Sequence, residues 1–339
     1  MSNSDQPRGG IPAGYEEAHQ NVAVFDLSNR VRLEMTGADC RSFLHNFCTN
    51  EIRGLPDGAS CEAFLLNVKG RILGHILVSA EENRLWIETA PDQAAPLLEH
   101  LEKYHLLEDF QLTDRSGETS EFLVTGPEAV ERLAEAGLDV TSLGLFQNRS
   151  LTFGNGDLAD QVSARRFDLL GQPGFLLLTS GPAAGLSERL AEAGIAVGSL
   201  EAFESLRIEA GFPVYGIDLS VDNLAQEASR TERAISFTKG CYLGQEPVAR
   251  IHALGHVNRE LRVLEIDGEV LPAEGTPLLN PDKPEKEIGQ LTSVAWSWQR
   301  GKPVGLGMVR SQFASTGSEI LLGDNSPSTA VVIDPTANS

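Results

Sequence analysis

Strand-like and helix-like periods alternate through the first third of the chain. Residues 30–36 alternate polar and apolar side chains, which predicts a half-buried strand. From Cys40 onward apolar side chains recur at i, i+3, i+4 and i+7, which predicts a helix with the Cys40 thiol on its core face. Residues 62–78 and 84–89 are typical of further strands, and residues 97–104 of another helix. Strands and helices mixed without a regular strand–helix–strand rhythm indicate an α+β fold.

A repeated pattern follows in the middle of the chain. FLVTGPEAVERLAEAGLDV begins at Phe122, and LLLTSGPAAGLSERLAEAGIAV begins at Leu176. Each run predicts a strand, a Gly-Pro turn, a helix ending at a glycine (Gly137 or Gly194) and a second strand. The shared ERLAEAG is compatible with duplication and with convergence on good helix formers, and either origin predicts two strand–helix–strand modules.

The last part of the chain has a different pattern. From Leu261 onward, short alternating runs are separated by Gly, Pro, Asn and Asp, which predicts a small antiparallel barrel or sandwich. The Gly-Leu-Gly at residues 305–307 lacks the third glycine and the following helix of a dinucleotide-binding turn, so we expect it to lie in a strand.

Composition limits the classes of function. A chain of 339 residues with 41% hydrophobic residues exceeds what one core usually serves, so two or three domains are expected. A net charge of -21 argues against a phosphate-binding surface for nucleic acid. The most apolar run, residues 64–78, is interrupted by Asn67, Lys69, Arg71 and His75, so no membrane span is expected. Four cysteines without a C-x-x-C pair, and no secretory signal at the start, indicate reduced thiols in the cytoplasm.

The run ISFTKGCYLGQEPVAR at residues 235–250 is the strongest candidate for chemistry. It places a lysine, a glycine, a cysteine and a tyrosine in succession, before a helix expected to start at Gly244. A thiol between a cation and a helix N-terminus should have a lowered pKa, and it is readier to react or to bind a soft metal. His252 and His256 follow at H-x-x-x-H spacing, but no partner cysteine precedes Cys241 at zinc-finger distance, so a closed metal site is not expected.

This run resembles the KGCYxGQE motif of the YgfZ-like folate-binding proteins, relatives of the T-protein (aminomethyltransferase) of the glycine cleavage system. Further runs resemble T-protein segments: VFDLS at residues 24–28 is similar to GVFDxS, LLNVKGRILGHILV at 65–78 to LLNxxGGIxDDLIV, and LRIEAGFPVYG at 206–216 to LRLEAGxPLYG. The resemblance extends from about residue 13 to about residue 322.

The resemblance implies a three-lobed fold. Residues 13–254 would form a folate-binding α+β region, with lobe one at about 13–50 and 118–254 and lobe two at about 51–117. Residues 255–333 would form a C-terminal β-barrel.

The resemblance also implies a set of site residues. Glu209 would bind the pterin ring, although its position in the last turn of a helix is also that of an exposed surface glutamate. Lys239 would face the glutamate tail of the folate, and Asn67 and Tyr242, in the two matching runs, would complete the folate-binding set. Cys241, which T-proteins lack, would be the functional thiol.

One departure from T-proteins bears on activity. Gly74 and His75 occupy the two positions of the T-protein Asp-Asp pair, so no carboxylate is present to manage the proton of folate N5. His75 could act as a base, or it could be a core histidine.

Three hypotheses remain. The first, which the motif favours, is a tetrahydrofolate-binding accessory protein whose Cys241 serves assembly or repair of iron–sulfur clusters in client enzymes, including tRNA-modifying ones. The second is a folate-dependent aminomethyl or methyl transferase. The third is an interaction scaffold with a vestigial folate site. Reduced folate and client iron–sulfur proteins are the expected partners.

Overall fold

The computed structural model describes residues 10–153, 160–181, 184–323 and 328–335. Within these ranges the α-helices are α1 (Tyr15–Gln20), α2 (Cys40–His45), α3 (Ala94–Glu102), α4 (Ala129–Glu135), α5 (Ala184–Glu192), α6 (Leu200–Glu209), α7 (Thr231–Ala234) and α8 (Gln245–Leu254). None of these helices is long and apolar enough to cross a membrane.

The strands form two sheets and a barrel. They are β1 (Ala23–Asp26), β2 (Val31–Thr36), β3 (Ser60–Leu66), β4 (Ile72–Glu81), β5 (Arg84–Thr89), β6 (Gln111–Asp114), β7 (Thr119–Thr125), β8 (Asn148–Phe153), β9 (Asp160–Arg166), β10 (Gly174–Ser180), β11 (Ala196–Val197), β12 (Arg259–Ile266), β13 (Pro277–Asn280), β14 (Lys283–Ser297), β15 (Lys302–Arg310), β16 (Glu319–Leu322) and β17 (Thr329–Ile333).

The first sheet has the order β11-β1-β7-β10-β9-β8 and contains the repeated modules. Strands β7 and β10 pair antiparallel, and the apolar faces of α4 and α5 pack into one core with them. Each module was predicted to end in a second strand. After α5 this strand is present as the two-residue β11, but after α4 the prediction is wrong. Leu138 and Val140 are buried and Asp139 is exposed, which imitates strand alternation, but this segment has no pairing partner and is a loop whose apolar side chains fill the core.

The second sheet has the order β3-β4-β5-β2-β6, and α2 and α3 pack into its core. The predicted helix from Cys40 and the predicted strand at residues 30–36 are both present. Because β2 pairs with β5 and β6, the second sheet begins at Val31, earlier than the expected lobe boundary at residue 51.

The C-terminal strands close into an antiparallel barrel with the order β12-β15-β14-β13-β16-β17. Gly305 and Gly307 lie within β15, as expected from the sequence. The fold is therefore two α+β lobes followed by a closed barrel, in agreement with the sequence prediction.

Helix α6 connects the lobes to the barrel through a buried arginine. Arg207, 1% exposed, donates from Nη1 to Asp218 Oδ2 at 3.0 Å and from Nη2 to Ser293 Oγ of β14 at 3.0 Å. Asp218 Oδ1 in turn accepts from Ser293 Oγ at 2.6 Å. A buried guanidinium with charged and polar partners holds α6 in place against the barrel. The position of α6 matters for the site, because α6 lines part of both cavities described below.

Candidate functional site

A cavity of about 240 Å³, the central cavity, lies where the two sheets meet the segment that follows α6. It is mostly apolar, and six of its lining residues enter the argument below: Arg30, His75, Leu77, Leu200, Phe203 and Phe212. Apolar walls with a few polar groups are the usual lining of small-molecule sites. Each of the two sheets and α6 contributes to it, so the cavity depends on how these units pack together.

His75 is held in this cavity wall by a hydrogen bond to a buried carboxylate. Its Nε2 lies 2.7 Å from Oε1 of Glu62, which is fully buried on the neighbouring strand β3. Arg230 donates to both oxygens of Glu62, at 2.8 Å from Nε and 2.6 Å from Nη2. Burial raises the pKa of Glu62, but Arg230 and then His75 outweigh it and hold the pKa at about 2. Glu62 is therefore ionised at neutral pH.

Aromatic rings fix the plane of the imidazole. The His75 ring centre lies 5.0 Å from that of Phe64 and 5.5 Å from that of Phe212, and the Arg230 guanidinium lies 5.2 Å from the Phe212 ring centre. A Cβ at the neighbouring Gly74 would come within 3.0 Å of a Leu97 methyl of α3. A side chain at position 74 would therefore require the Leu97 side chain to move by a few tenths of an ångström.

Glu209 lies in a second cavity, of about 420 Å³, between the first lobe, α6 and the barrel. Its Oε1 accepts from Tyr15 Oη at 2.5 Å, and its Oε2 lies 3.3 Å from Nε2 of His19. Burial, and then the charge of Glu209, raise the pKa of Tyr15, so the phenol stays protonated. His75 lines the central cavity and Glu209 the second one, so the two do not share a site.

Lys239 is engaged by the backbone of the segment after α2. Its Nζ donates to the carbonyls of His45 at 2.6 Å, Cys48 at 2.7 Å and Asn50 at 2.7 Å. An ammonium has three donors, and here all three are used. Burial lowers the pKa of Lys239, although the nearby Cys48 and Glu51 oppose that shift. In this conformation the side chain anchors a loop and has no donor left for a ligand.

Tyr242 and Asn67 also have structural partners. The Lys239 ammonium lies 4.8 Å from the Tyr242 ring centre, and burial raises the pKa of Tyr242 to about 12. Asn67 Oδ1 accepts from the backbone N–H groups of Lys69 and Arg71, which closes a tight turn. Neither Asn67 nor Tyr242 lines the central cavity.

The Cys241 segment packs tightly against that turn. Gly244 has φ of +80°, and a Cβ there would lie 2.4 Å from the carbonyl oxygen of Asn67. Only glycine fits this combination of left-handed backbone and close approach. The predicted helix start is confirmed, with Gly244 as the residue that precedes α8.

Cys241 is exposed, unlike the other cysteines. Cys40 and Cys48 are buried and Cys61 is partly buried, and burial raises the pKa of each of these thiols. Cys241 is therefore accessible at the surface, and it does not line the central cavity.

A buried ionic cluster lies beside the central cavity and joins the two sheets. Arg165 of β9 pairs with Glu88 of β5 through both carboxylate oxygens, one at 2.9 Å. Glu121 of β7 lies 3.6 Å from Arg30, which lines the cavity. Burial, and then the charge of Glu88, raise the pKa of Glu121 to about 7. Glu121 is thus a buried carboxyl group that can hold a proton near neutral pH.

The predicted site residues are therefore distributed over separate places. Lys239, Cys241 and Tyr242 lie together with the Asn67 turn, Glu209 lies in the second cavity, and His75 lies in the central cavity. Their ligand roles stay predictions. Sequence reasoning missed Glu62 and Arg230. The signal for Glu62 was its place within the apolar run SCEAFLL, because a glutamate buried in a strand needs a charged or hydrogen-bonding partner.

Two α+β lobes, a closed barrel and a cavity where the lobes meet define a T-protein-like architecture. The sequence profile described as GCVT N-terminal domain matches residues 6–239, and that described as Glycine cleavage T-protein C-terminal barrel domain matches residues 259–336. The chain belongs to this glycine cleavage T-protein family.

Individual relatives agree with this assignment. The chain is 28% identical over 308 residues to the Arabidopsis thaliana protein named "Putative transferase At1g60990, chloroplastic", covering 90% of this chain and 69% of that one. It is 29% identical over 325 residues to the aminomethyltransferase of Synechococcus sp. (strain RCC307), covering 92% and 86%. The crystal structure of the glycine cleavage system aminomethyltransferase T from Bartonella henselae matches with a TM-score of 0.83 at 22% identity, covering 95% of this chain and 88% of that chain. The structural match concerns the fold.

Proposed function

We propose that this protein binds a reduced folate in the central cavity and acts as an accessory protein, without aminomethyltransferase activity, whose Cys241 serves iron–sulfur client enzymes. The observation that carries the proposal is His75, held by Glu62, in the wall of a preformed cavity where a T-protein is expected to present a carboxylate.

The cavity suits one end of a folate. Its volume of about 240 Å³ is below the ~300–1,000 Å³ typical of sites that enclose a whole drug-sized ligand. A flat pterin ring would therefore lie between Phe203, Phe212 and Leu77, and the negatively charged tail would extend outward. Among the described residues that line the cavity are the guanidinium of Arg30 and the carboxyl groups of Asp26 and Glu204, whereas Lys239 does not line it.

Transfer chemistry is disfavoured by the residues at positions 74 and 75. Gly74 has no side chain and packs against Leu97, and the Glu62 carboxylate is occupied by Arg230 and His75. A carboxylate with both oxygens in use is poorly placed to take up a proton in a reaction. Folate would then be bound as a ligand.

The thiol supports an accessory role because it lies outside the cavity. Cys241 is exposed on a segment fixed by Lys239 and by the Asn67 turn. A surface thiol on a rigid loop can meet a partner protein while the cavity holds folate. The client would be an iron–sulfur enzyme, including tRNA-modifying ones.

The second candidate is a folate-dependent one-carbon transferase. Relatives such as the Synechococcus protein are named aminomethyltransferase, which favours this alternative. Under it His75 would act as the base.

Calorimetry with tetrahydrofolate, followed by a turnover assay with an aminomethyl donor, separates the two. We expect binding without production of methylene-tetrahydrofolate and ammonia. Turnover above background would replace the accessory proposal with the transferase, and absence of binding would refute both.

A pair of matched variants locates the folate. Leu200 is 68% exposed at the opening of the central cavity, and Leu254 is 62% exposed on α8, away from it. Leu200→Trp should obstruct the cavity and weaken tetrahydrofolate binding at least tenfold, whereas Leu254→Trp should leave it unchanged. Glu209→Gln should also leave affinity within about twofold; a large loss would place the pterin in the second cavity, as the sequence motif implies.

A further inference from the structure

We propose that His75 makes the central cavity selective for the reduced, N–H-bearing form of its ligand ring over the oxidised form. The inference rests on the proposed function, because it assumes that a pterin occupies the cavity. The group that distinguishes the two oxidation states is Nδ1 of His75.

The carboxylate of Glu62 decides which ring nitrogen of His75 carries the hydrogen. Ionised Glu62 has no proton to give and can only accept. The 2.7 Å contact from His75 Nε2 to Glu62 Oε1 therefore requires a hydrogen on Nε2. In the neutral imidazole Nδ1 is then an acceptor, since each tautomer has one donor and one acceptor nitrogen.

That acceptor is available to a ligand. Across the part of the chain that the structure describes, Nδ1 of His75 has no hydrogen-bond partner, and it is not among the unpartnered polar atoms sealed from solvent. His75 lines the cavity, and its ring is held between Phe64 and Phe212. In its neutral form the imidazole therefore presents a fixed lone pair to whatever fills the cavity.

We take N5 of the ring to face His75, because His75 stands where the T-protein motif has a carboxylate for the N5 proton. An acceptor at N5 discriminates between oxidation states of a pterin, whereas the N3–H and 2-amino donors are present in both. The tetrahydro form carries N–H groups at N5 and N8, whereas the fully oxidised ring has only lone pairs at these positions. Nδ1 can accept from the first, but it would face a lone pair of the second, and both acceptors would be left unsatisfied. A site built around a hydrogen bond rejects an analogue that cannot make it, because its buried polar group is left without a partner.

The test is anaerobic calorimetry with tetrahydrofolate and with folic acid on the same protein. We expect wild type to bind the reduced form at least tenfold more tightly, which corresponds to about 1.4 kcal/mol. His75→Phe keeps a ring between Phe64 and Phe212 but removes both nitrogens, so the ratio of the two affinities should fall towards one. His252→Phe, at a histidine stacked on Phe237 outside the cavity, is the matched control and should keep the wild-type ratio.

Nitrogen NMR of the imidazole in the ligand-free protein tests the tautomer directly. We expect the chemical shifts of a hydrogen-bearing Nε2 and a hydrogen-free Nδ1, because Glu62 Oε1 accepts from both Arg230 Nε and His75 Nε2. Circular dichroism and the unfolding midpoint establish that each variant is folded; if His75→Phe does not fold, the wild-type affinity ratio and the tautomer decide.

The outcomes separate this inference from the proposal on which it rests. Equal affinities of wild type for the two folates, or an unchanged ratio in His75→Phe, would overturn the selectivity while leaving folate binding intact. A wild-type imidazole with its hydrogen on Nδ1 would overturn it too. Failure of both folates to bind would refute the proposed function and the inference with it.

Discussion

Lys239→Met tests whether this lysine is a loop anchor or a folate contact. Methionine keeps most of the apolar stem and removes the ammonium, so the carbonyls of His45, Cys48 and Asn50 lose their shared donor. Hydrogen bonds to a charged group contribute ~1.5–3 kcal/mol each, but the free carbonyls can recover part of this by hydration, and removing a partly buried charge relieves its desolvation. We expect the free energy of unfolding to fall by about 3 kcal/mol.

The measurement is urea unfolding followed by circular dichroism, with tetrahydrofolate affinity measured on the same preparations at a temperature where the variant is folded. Lys69→Met is the control, because Lys69 is exposed on the adjacent turn, and it should change stability by less than about 0.5 kcal/mol. Tetrahydrofolate affinity should match wild type in both variants. Unchanged stability of Lys239→Met together with a tenfold loss of folate affinity would refute the anchoring role and restore the sequence-based assignment.

Three further predictions concern Glu121, the cysteine thiols and Tyr15. Glu121 has a folded-state pKa of about 7, above the ordinary 4.5, so the stability it contributes is present below pH 4.5 and is lost as pH rises through 7. In urea titrations, the stability of Glu121→Gln relative to wild type should therefore increase from about pH 5 to about pH 8. A difference that stays constant with pH would contradict the assigned pKa. Of the four cysteines, exposed Cys241 should be alkylated fastest at neutral pH, at the same rate with or without tetrahydrofolate, and buried Cys48 should react only as the protein unfolds. Mass spectrometry of the labelled sites measures these rates. Protection of Cys241 by folate would place the thiol beside the ligand. Tyr15→Phe removes the hydrogen bond to Glu209 and should cost about 1–2 kcal/mol of stability without changing folate affinity, so a change in affinity would connect the second cavity with folate.

Much of the fold could be predicted from the sequence because its signals are local. The strand at residues 30–36, the helix from Cys40 and the C-terminal barrel follow from the period of apolar positions and from turn residues, which report one face of each element. Local pattern failed where pairing decided the outcome. Leu138 and Val140 alternate like a strand but have no partner strand, and β2 joins the second sheet although it directly follows β1.

The candidate site was less accessible to sequence reasoning, because what a polar side chain does depends on what tertiary packing brings to it. The family resemblance singles out Lys239 and Glu209 as candidate folate contacts, but the three carbonyls around Lys239 and the Tyr15 phenol beside Glu209 come from distant parts of the chain. Glu62 meets His75 across 13 positions and Arg230 across 168. The sequence by itself determined the periods of its strands and helices and the motif residues that are candidates for a site. Only the packing of two sheets and a barrel decided which charged side chains meet, since a buried charge is stable only where the fold supplies its partner.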